Sequence, residues 1–85
     1  MKLERRYVNE EGHLYLTEGS YGKDRDGEWF LRLRWCHAGT LRTHTVVEHE
    51  DGTITVSPSI LHHEPISLGG RTLHGFLEQG VWRDC

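Results

Sequence analysis

WFLRLRWCHAGTLRTHTVVEHEDGTITV, residues 29–56, decides the fold. Apolar and polar side chains alternate through it with a period of two, the period of a half-buried β-strand and not of a helix. A three-residue turn at 37–39 pairs Trp35 with Leu41, Leu33 with Thr43, Leu31 with Thr45 and Trp29 with Val47, all on one face of an antiparallel hairpin. Asp51-Gly52 closes the next hairpin as a two-residue turn, pairing Val47 with Val56 and His49 with Ile54.

Working outward, turn residues at Glu11-Gly12, Gly19 to Gly27, Ser67 to Gly70 and Gln79-Gly80 bound further strands. The spacing predicts strands near 3–8, 13–18, 28–36, 40–49, 53–58, 72–78 and 81–84. The expected fold is all-β, a single domain over 1–85. It is a small antiparallel twisted sheet or sandwich of six to seven strands built from hairpins. In the last hairpin Leu77 pairs with Trp82, and His74 with Cys85. The segment 57–70 reads as a long connection because Pro58 and Pro65 each remove a backbone donor, with room for a short edge strand at Ile60 to His62.

A chain of 85 residues buries only about 60–65% of the surface that its unfolded form exposes, so the core is thin. Three Trp, three Tyr and two Phe must carry much of the burial. The formal charge is −3, from 10 Lys and Arg against 13 Asp and Glu, which argues against bulk attraction to nucleic acid or an anionic membrane. Protonating all seven histidines moves that charge to +4, so partners and solubility are pH-sensitive. No apolar run reaches the length of a membrane span, and residues 1–12 lack the apolar centre of a signal peptide, so a cytoplasmic protein is expected. Two cysteines in that compartment read as free thiols or metal ligands, with a Cys36–Cys85 disulfide the lesser alternative.

Three constellations carry chemistry. The outer face of the central hairpin sets Arg34 opposite Arg42 and Arg32 opposite His44, with Phe30 beside Val46. Like charges directly opposite destabilise a sheet, so this face points to an anionic partner. Tyr21, Lys23 and Arg25 in the 19–27 loop form its adaptable rim. A second set, Cys36, His37, His74 and Cys85, with His44, His62 or His63 in reserve, offers thiolate and imidazole ligands for a structural zinc, without any CxxC spacing. His62-His63-Glu64 resembles a fragment of a metal or acid–base site but lacks the helical frame of HExxH. Cys85 with His74 as nucleophile and base lacks an orienting group and an oxyanion pocket, so no enzymatic activity is expected.

The run from TVVEHEDGTITVSPSIL to TLHGFLEQGVWRDC resembles a small phage and prophage domain family of unsettled activity. In that family a dipeptide-turn hairpin leads to a Pro-Ser-Ile/Leu segment and then a Cys-His-x-Phe hairpin. The matching pieces are Asp51-Gly52, Pro58-Ser59-Ile60, His74-x-Phe76 and Gly80, within residues 35–85, and Leu73 replaces the family's cysteine. The resemblance implies a β architecture and a phage or prophage origin. The expectation is a non-catalytic binding protein that inhibits or modulates a host protein complex with an acidic surface, such as a defence system. No cofactor is required by this reading. The alternative is a zinc-stabilised β domain that binds protein or nucleic acid. An exposed edge beside Pro58 or at 3–8 could pair two copies into a homodimer.

Overall fold

Three turns of one design punctuate the chain, the second and third of them joining strands. They span Asn9–His13, Asp24–Glu28 and His49–Thr53, each with glycine fourth. In each, the first residue donates its N–H to the carbonyl of the fifth, at 2.8, 2.9 and 2.8 Å. Its own carbonyl accepts the glycine N–H, at 2.9, 3.1 and 3.0 Å. The glycines have φ of 82°, 87° and 87°, the left-handed conformation that closes a three-residue loop. Asn9 and Asp24 add a side-chain oxygen, each accepting two backbone N–H groups inside its turn.

The third turn corrects the expected register. With three loop residues, Glu50 to Gly52, instead of two, the pairs become Val46 with Val56 and Val47 with Thr55. A slip of one residue exchanges the faces. Val46 therefore packs against the core while Val47 is half-exposed.

The computed structural model describes all 85 residues. It is all-β, with eight strands in two four-stranded sheets where six or seven strands were expected. The first sheet has β1 (Glu4–Arg6), β2 (Ser20–Lys23), β3 (Trp29–Arg32) and β4 (Gly39–Thr40) side by side, with β1 parallel to β2 and the other pairs antiparallel. The second is an antiparallel meander of β5 (Thr45–Glu48), β6 (Ile54–His63), β7 (Thr72–Glu78) and β8 (Val81–Asp84). Only one short 3-10 turn, Ile66–Leu68, interrupts the strands.

Several expectations change with this architecture. The central hairpin does not form as one unit, because β3 ends at Arg32 and β5 joins the other sheet. Phe30 pairs with Thr40, and Leu31 with Gly39. The expected strand at 13–18 is irregular, whereas the expected 19–27 loop contains β2 and a tight turn. Residues 54–63 are a single strand, paired with β5 through Ser57 and with β7 at Val56 and again from Ile60, so Pro58 lies within a strand and not in a connection. Its missing donor is accommodated where the register shifts between Val56 and Ile60, the bulge position that tolerates proline in an interior strand. The β7–β8 hairpin agrees with the sequence reading: Leu77 pairs with Trp82, and the Cys85 N–H donates to the His74 carbonyl at 2.9 Å.

The sheets share one core, formed by Leu3, Tyr21, Leu31, Leu33, Cys36 and Leu41 from the first half and Ile54, Val56, Ile60, Leu77 and Trp82 from the second. Residues 1–3 bind the β8 end of the second sheet before β1 enters the first, with Leu3 N–H donating to the Gly80 carbonyl at 2.8 Å. Trp82 lies flat over Gly75: a Cβ there would stand 2.6 Å from the indole ring and collide with the Arg83 carbonyl.

Charged groups also bridge the sheets. Arg5 of β1 donates from Nη1 to the Gly52 carbonyl at 2.8 Å and to Glu48 Oε2 at 3.1 Å. Its guanidinium stands 4.4 Å from the Tyr7 ring centroid and 4.8 Å from that of Trp29. Lys23 donates to the other Glu48 oxygen at 3.2 Å. These two donors, Arg5 first, hold the Glu48 carboxyl below the usual carboxylate range.

Two stability predictions result. Glu48, with its folded pKa lowered, contributes stability above the unfolded pKa and loses it as the pH falls through the folded value. Glu48→Gln is thus less stable than the parent at pH 7, and the difference closes by about pH 3 in urea unfolding followed across pH. Gly75→Ala forces the Trp82 ring off its seat and costs about 2 kcal/mol, or roughly 8–16 °C in Tm by calorimetry.

Candidate functional site

The break after β3 builds the site. Leu33 to Cys36 form a turn in which the Cys36 N–H donates to the Leu33 carbonyl at 3.0 Å. Trp35 sits third in that turn with φ 64°, a left-handed conformation that costs an L-residue about 1–2 kcal/mol. The turn breaks the strand alternation. Leu33 and Cys36 face inward at 2% and 1% exposure, while Arg34 and Trp35 face outward, Trp35 at 63%. A bulky residue held at positive φ and pointed at solvent is the kind of strain that accumulates at binding sites.

Two cations flank the exposed indole. The guanidinium carbons of Arg34 and Arg71 lie 4.8 and 5.4 Å from the Trp35 ring centroid. Beside them is a groove of about 240 Å³, lined by Leu33, Trp35, Leu73 and Trp82 with Arg34 and Asp84 at its polar margin. Of the ten Lys and Arg, Arg5, Arg6, Lys23, Arg42 and Arg83 have carboxylate partners. Arg32 spends its donors on the Cys36 and Leu16 carbonyls, at 2.8 and 3.0 Å. Arg34 and Arg71 have no carboxylate partner, and both stack on Trp35.

Under this platform lies a second cluster. One ligand atom each from Cys36, His62 and Glu64 lies within 4.8 Å of the others. His62 and Glu64, two apart at the end of β6, share a face. The buried Glu64 carboxylate accepts the His37 N–H through Oε1 at 2.5 Å. The same oxygen is 3.6 Å from His37 Nδ1 and 3.3 Å from His62 Nε2. The His62 approach is too poorly aligned for a hydrogen bond and leaves that fully buried nitrogen unpartnered. The His37 N–H bond, opposed by desolvation, lowers the Glu64 pKa. Burial first, then the Glu64 carboxylate, raises the Cys36 thiol.

The expected site residues separate. The cationic strip of Phe30, Arg32, Arg34, Arg42 and His44 does not form a continuous face, because the hairpin that would align it is absent. Arg42 pairs with Glu28 at 2.7 Å, and His44 Nε2 meets the Ser59 carbonyl at 3.2 Å. Tyr21 is a buried core residue and no loop anchor, and Lys23 pairs with Glu48. Phe30, Arg32 and Arg25 instead line an open cleft of about 670 Å³ with His37. The expected metal quartet does not converge either. His74 Nε2 bonds the Ser59 hydroxyl at 3.0 Å, Cys85 is an exposed free thiol, and of the four only Cys36 belongs to the cluster, with His37 Nδ1 at its edge 3.6 Å from Glu64. Trp35 was expected in the core, and Arg71 carried no signal at all. Glu64 was visible only as part of His62-His63-Glu64.

If Trp35 serves the surface, its removal spares the fold. Trp35→Gly relieves the positive φ and leaves stability unchanged or up to about 1 kcal/mol higher, whereas loss of a core Trp costs about 3–5 kcal/mol. Urea unfolding distinguishes the two.

No known protein family, curated protein or solved structure matches this chain. The functional reading rests on the arrangement of its own side chains.

Proposed function

We propose that the protein is a non-catalytic binding module that docks the Arg34–Trp35–Arg71 platform and the adjoining groove onto an acidic protein surface. The observation that carries this reading is the convergence of two unpaired guanidinium groups on one exposed, strained tryptophan. Trp and Arg are the residues that most often dominate protein interfaces, where an aromatic anchor fills a pocket and cations select the partner's charge. The groove beside Trp35 takes an apolar side chain of the partner. The two arginines favour a segment in which carboxylates flank that side chain. The chain's overall charge of −3 leaves the platform a local cationic feature, which favours a discrete acidic epitope over a long polyanion.

The resemblance of residues 35–85 to a phage and prophage family extends this proposal to its biological setting. In that setting the protein is phage- or prophage-encoded, and the partner is a bacterial host complex that docking inhibits or modulates.

Capture from bacterial lysate, compared between the parent and two variants, tests the surface. Partners held by the parent are expected to be lost with Arg34→Glu combined with Arg71→Glu. They should weaken at least tenfold with Trp35→Gly and elute as salt is raised. Retention by both variants, with far-ultraviolet circular dichroism unchanged, overturns the assignment.

A further inference from the structure

We propose that Cys36, His62 and Glu64, with His37 closing the set, form a binding site for Zn²⁺. The site shares no residue with the docking surface proposed above and contains neither His74 nor Cys85.

The donor types are those that zinc prefers: one thiolate, neutral imidazole nitrogens and one carboxylate oxygen. Donors around a tetrahedral zinc stand roughly 3.3–3.8 Å apart, given metal–ligand bonds of about 2.0–2.3 Å. The His62 Nε2 to Glu64 Oε1 distance of 3.3 Å and the His37 Nδ1 to Glu64 Oε1 distance of 3.6 Å already match that spacing. The three core donors lie within 4.8 Å of one another, so only the two pairs with Cys36 have to close, by about 1 Å at the most.

Two features of the cluster point to a cation. The His62 Nε2 atom is fully buried without a hydrogen-bond partner, directed at a carboxylate with which it makes no aligned bond. The Glu64 carboxylate is itself buried beside the buried Cys36 thiol, and each disfavours a second negative charge on the other. A divalent cation resolves both. It ligates the orphaned nitrogen and neutralises the carboxylate and thiolate charges together.

Calcium and magnesium are excluded by the sulfur and nitrogen donors, since they take oxygen. Binding forms a Zn–S bond and releases the thiol proton to solvent. Glu64 binds as the carboxylate, the imidazoles bind neutral, and no electron is transferred. His37 is the exposed member, with 64% of its side chain accessible against 3% for Glu64. It therefore stands at the mouth, where the fourth ligand can exchange.

The test uses the full chain carrying Cys85→Ser, so that Cys36 is the only thiol, titrated with Co²⁺ as a spectroscopic substitute and then displaced by Zn²⁺. The expected result is one equivalent bound, a sulfur-to-cobalt charge-transfer band and the intense visible bands of tetrahedral cobalt. Absence of the charge-transfer band overturns the site, as does its persistence when Cys36→Ser is added. Because Cys36 is buried and its replacement can disturb folding, His62→Ala is the second variant, placed on a partly accessible side chain. It is expected to weaken Zn²⁺ at least tenfold, and an affinity unchanged within twofold overturns the assignment.

Discussion

The two sheets are held in register by Arg5. Its guanidinium lies between the Tyr7 and Trp29 rings while its Nη1 reaches the Gly52 carbonyl and Glu48 of the opposite sheet. A core of eleven buried side chains leaves little area to fix two small sheets against each other. A mostly buried charge held over two aromatic rings, with its donors directed across the gap, supplies orientation that non-directional apolar contact does not. The arrangement has a cost, because Arg5 Nε is buried without a partner. It also determines where Trp29 goes: toward Arg5 and Lys23, not toward Val47.

That constraint propagates to the opposite end of β3. Trp29 lies among cations and Leu31 in the core, β3 ends at Arg32 opposite Ser20, the first residue of β2, and the chain turns at Leu33 to Cys36. The turn then has to bury Leu33 and Cys36 across a residue of the wrong handedness. Its far side is anchored by Glu64, which accepts the His37 N–H, while the Glu64 N–H donates to the Arg71 carbonyl at 2.7 Å. Trp35, Arg71 and the Cys36 cluster are therefore joined by short covalent and hydrogen-bonded paths.

Legibility in the sequence followed loop length. The β7–β8 hairpin was readable to the residue because Gln79 and Gly80 both take positive φ, at 46° and 77°, and a two-residue loop admits one register. Asp51-Gly52 looks the same in sequence, but Asp51 keeps negative φ and the loop gains Glu50. The difference lies in how the flanking strands are held, with His49 and Thr53 bonding across the turn. The β3 turn was hidden for another reason. Its left-handed residue is a tryptophan inside an unbroken apolar alternation, and neither propensity nor period marks such a position. His62 and Glu64 converge on Cys36 only because β6 continues through the Pro58 bulge. Proline in the sequence read as the end of a strand, while the sheet uses it where a donor is not needed.

The adjacency of Trp35 and Cys36 couples the platform to the cluster. The left-handed turn at Trp35 points the indole outward and the thiol inward at the same time. Whatever binds either side chain in that geometry stabilises the turn for both. Were both proposed sites occupied, linkage would make the effect reciprocal: a partner on Arg34, Trp35 and Arg71 would tighten the Cys36 cluster by the factor by which the filled cluster tightened the partner.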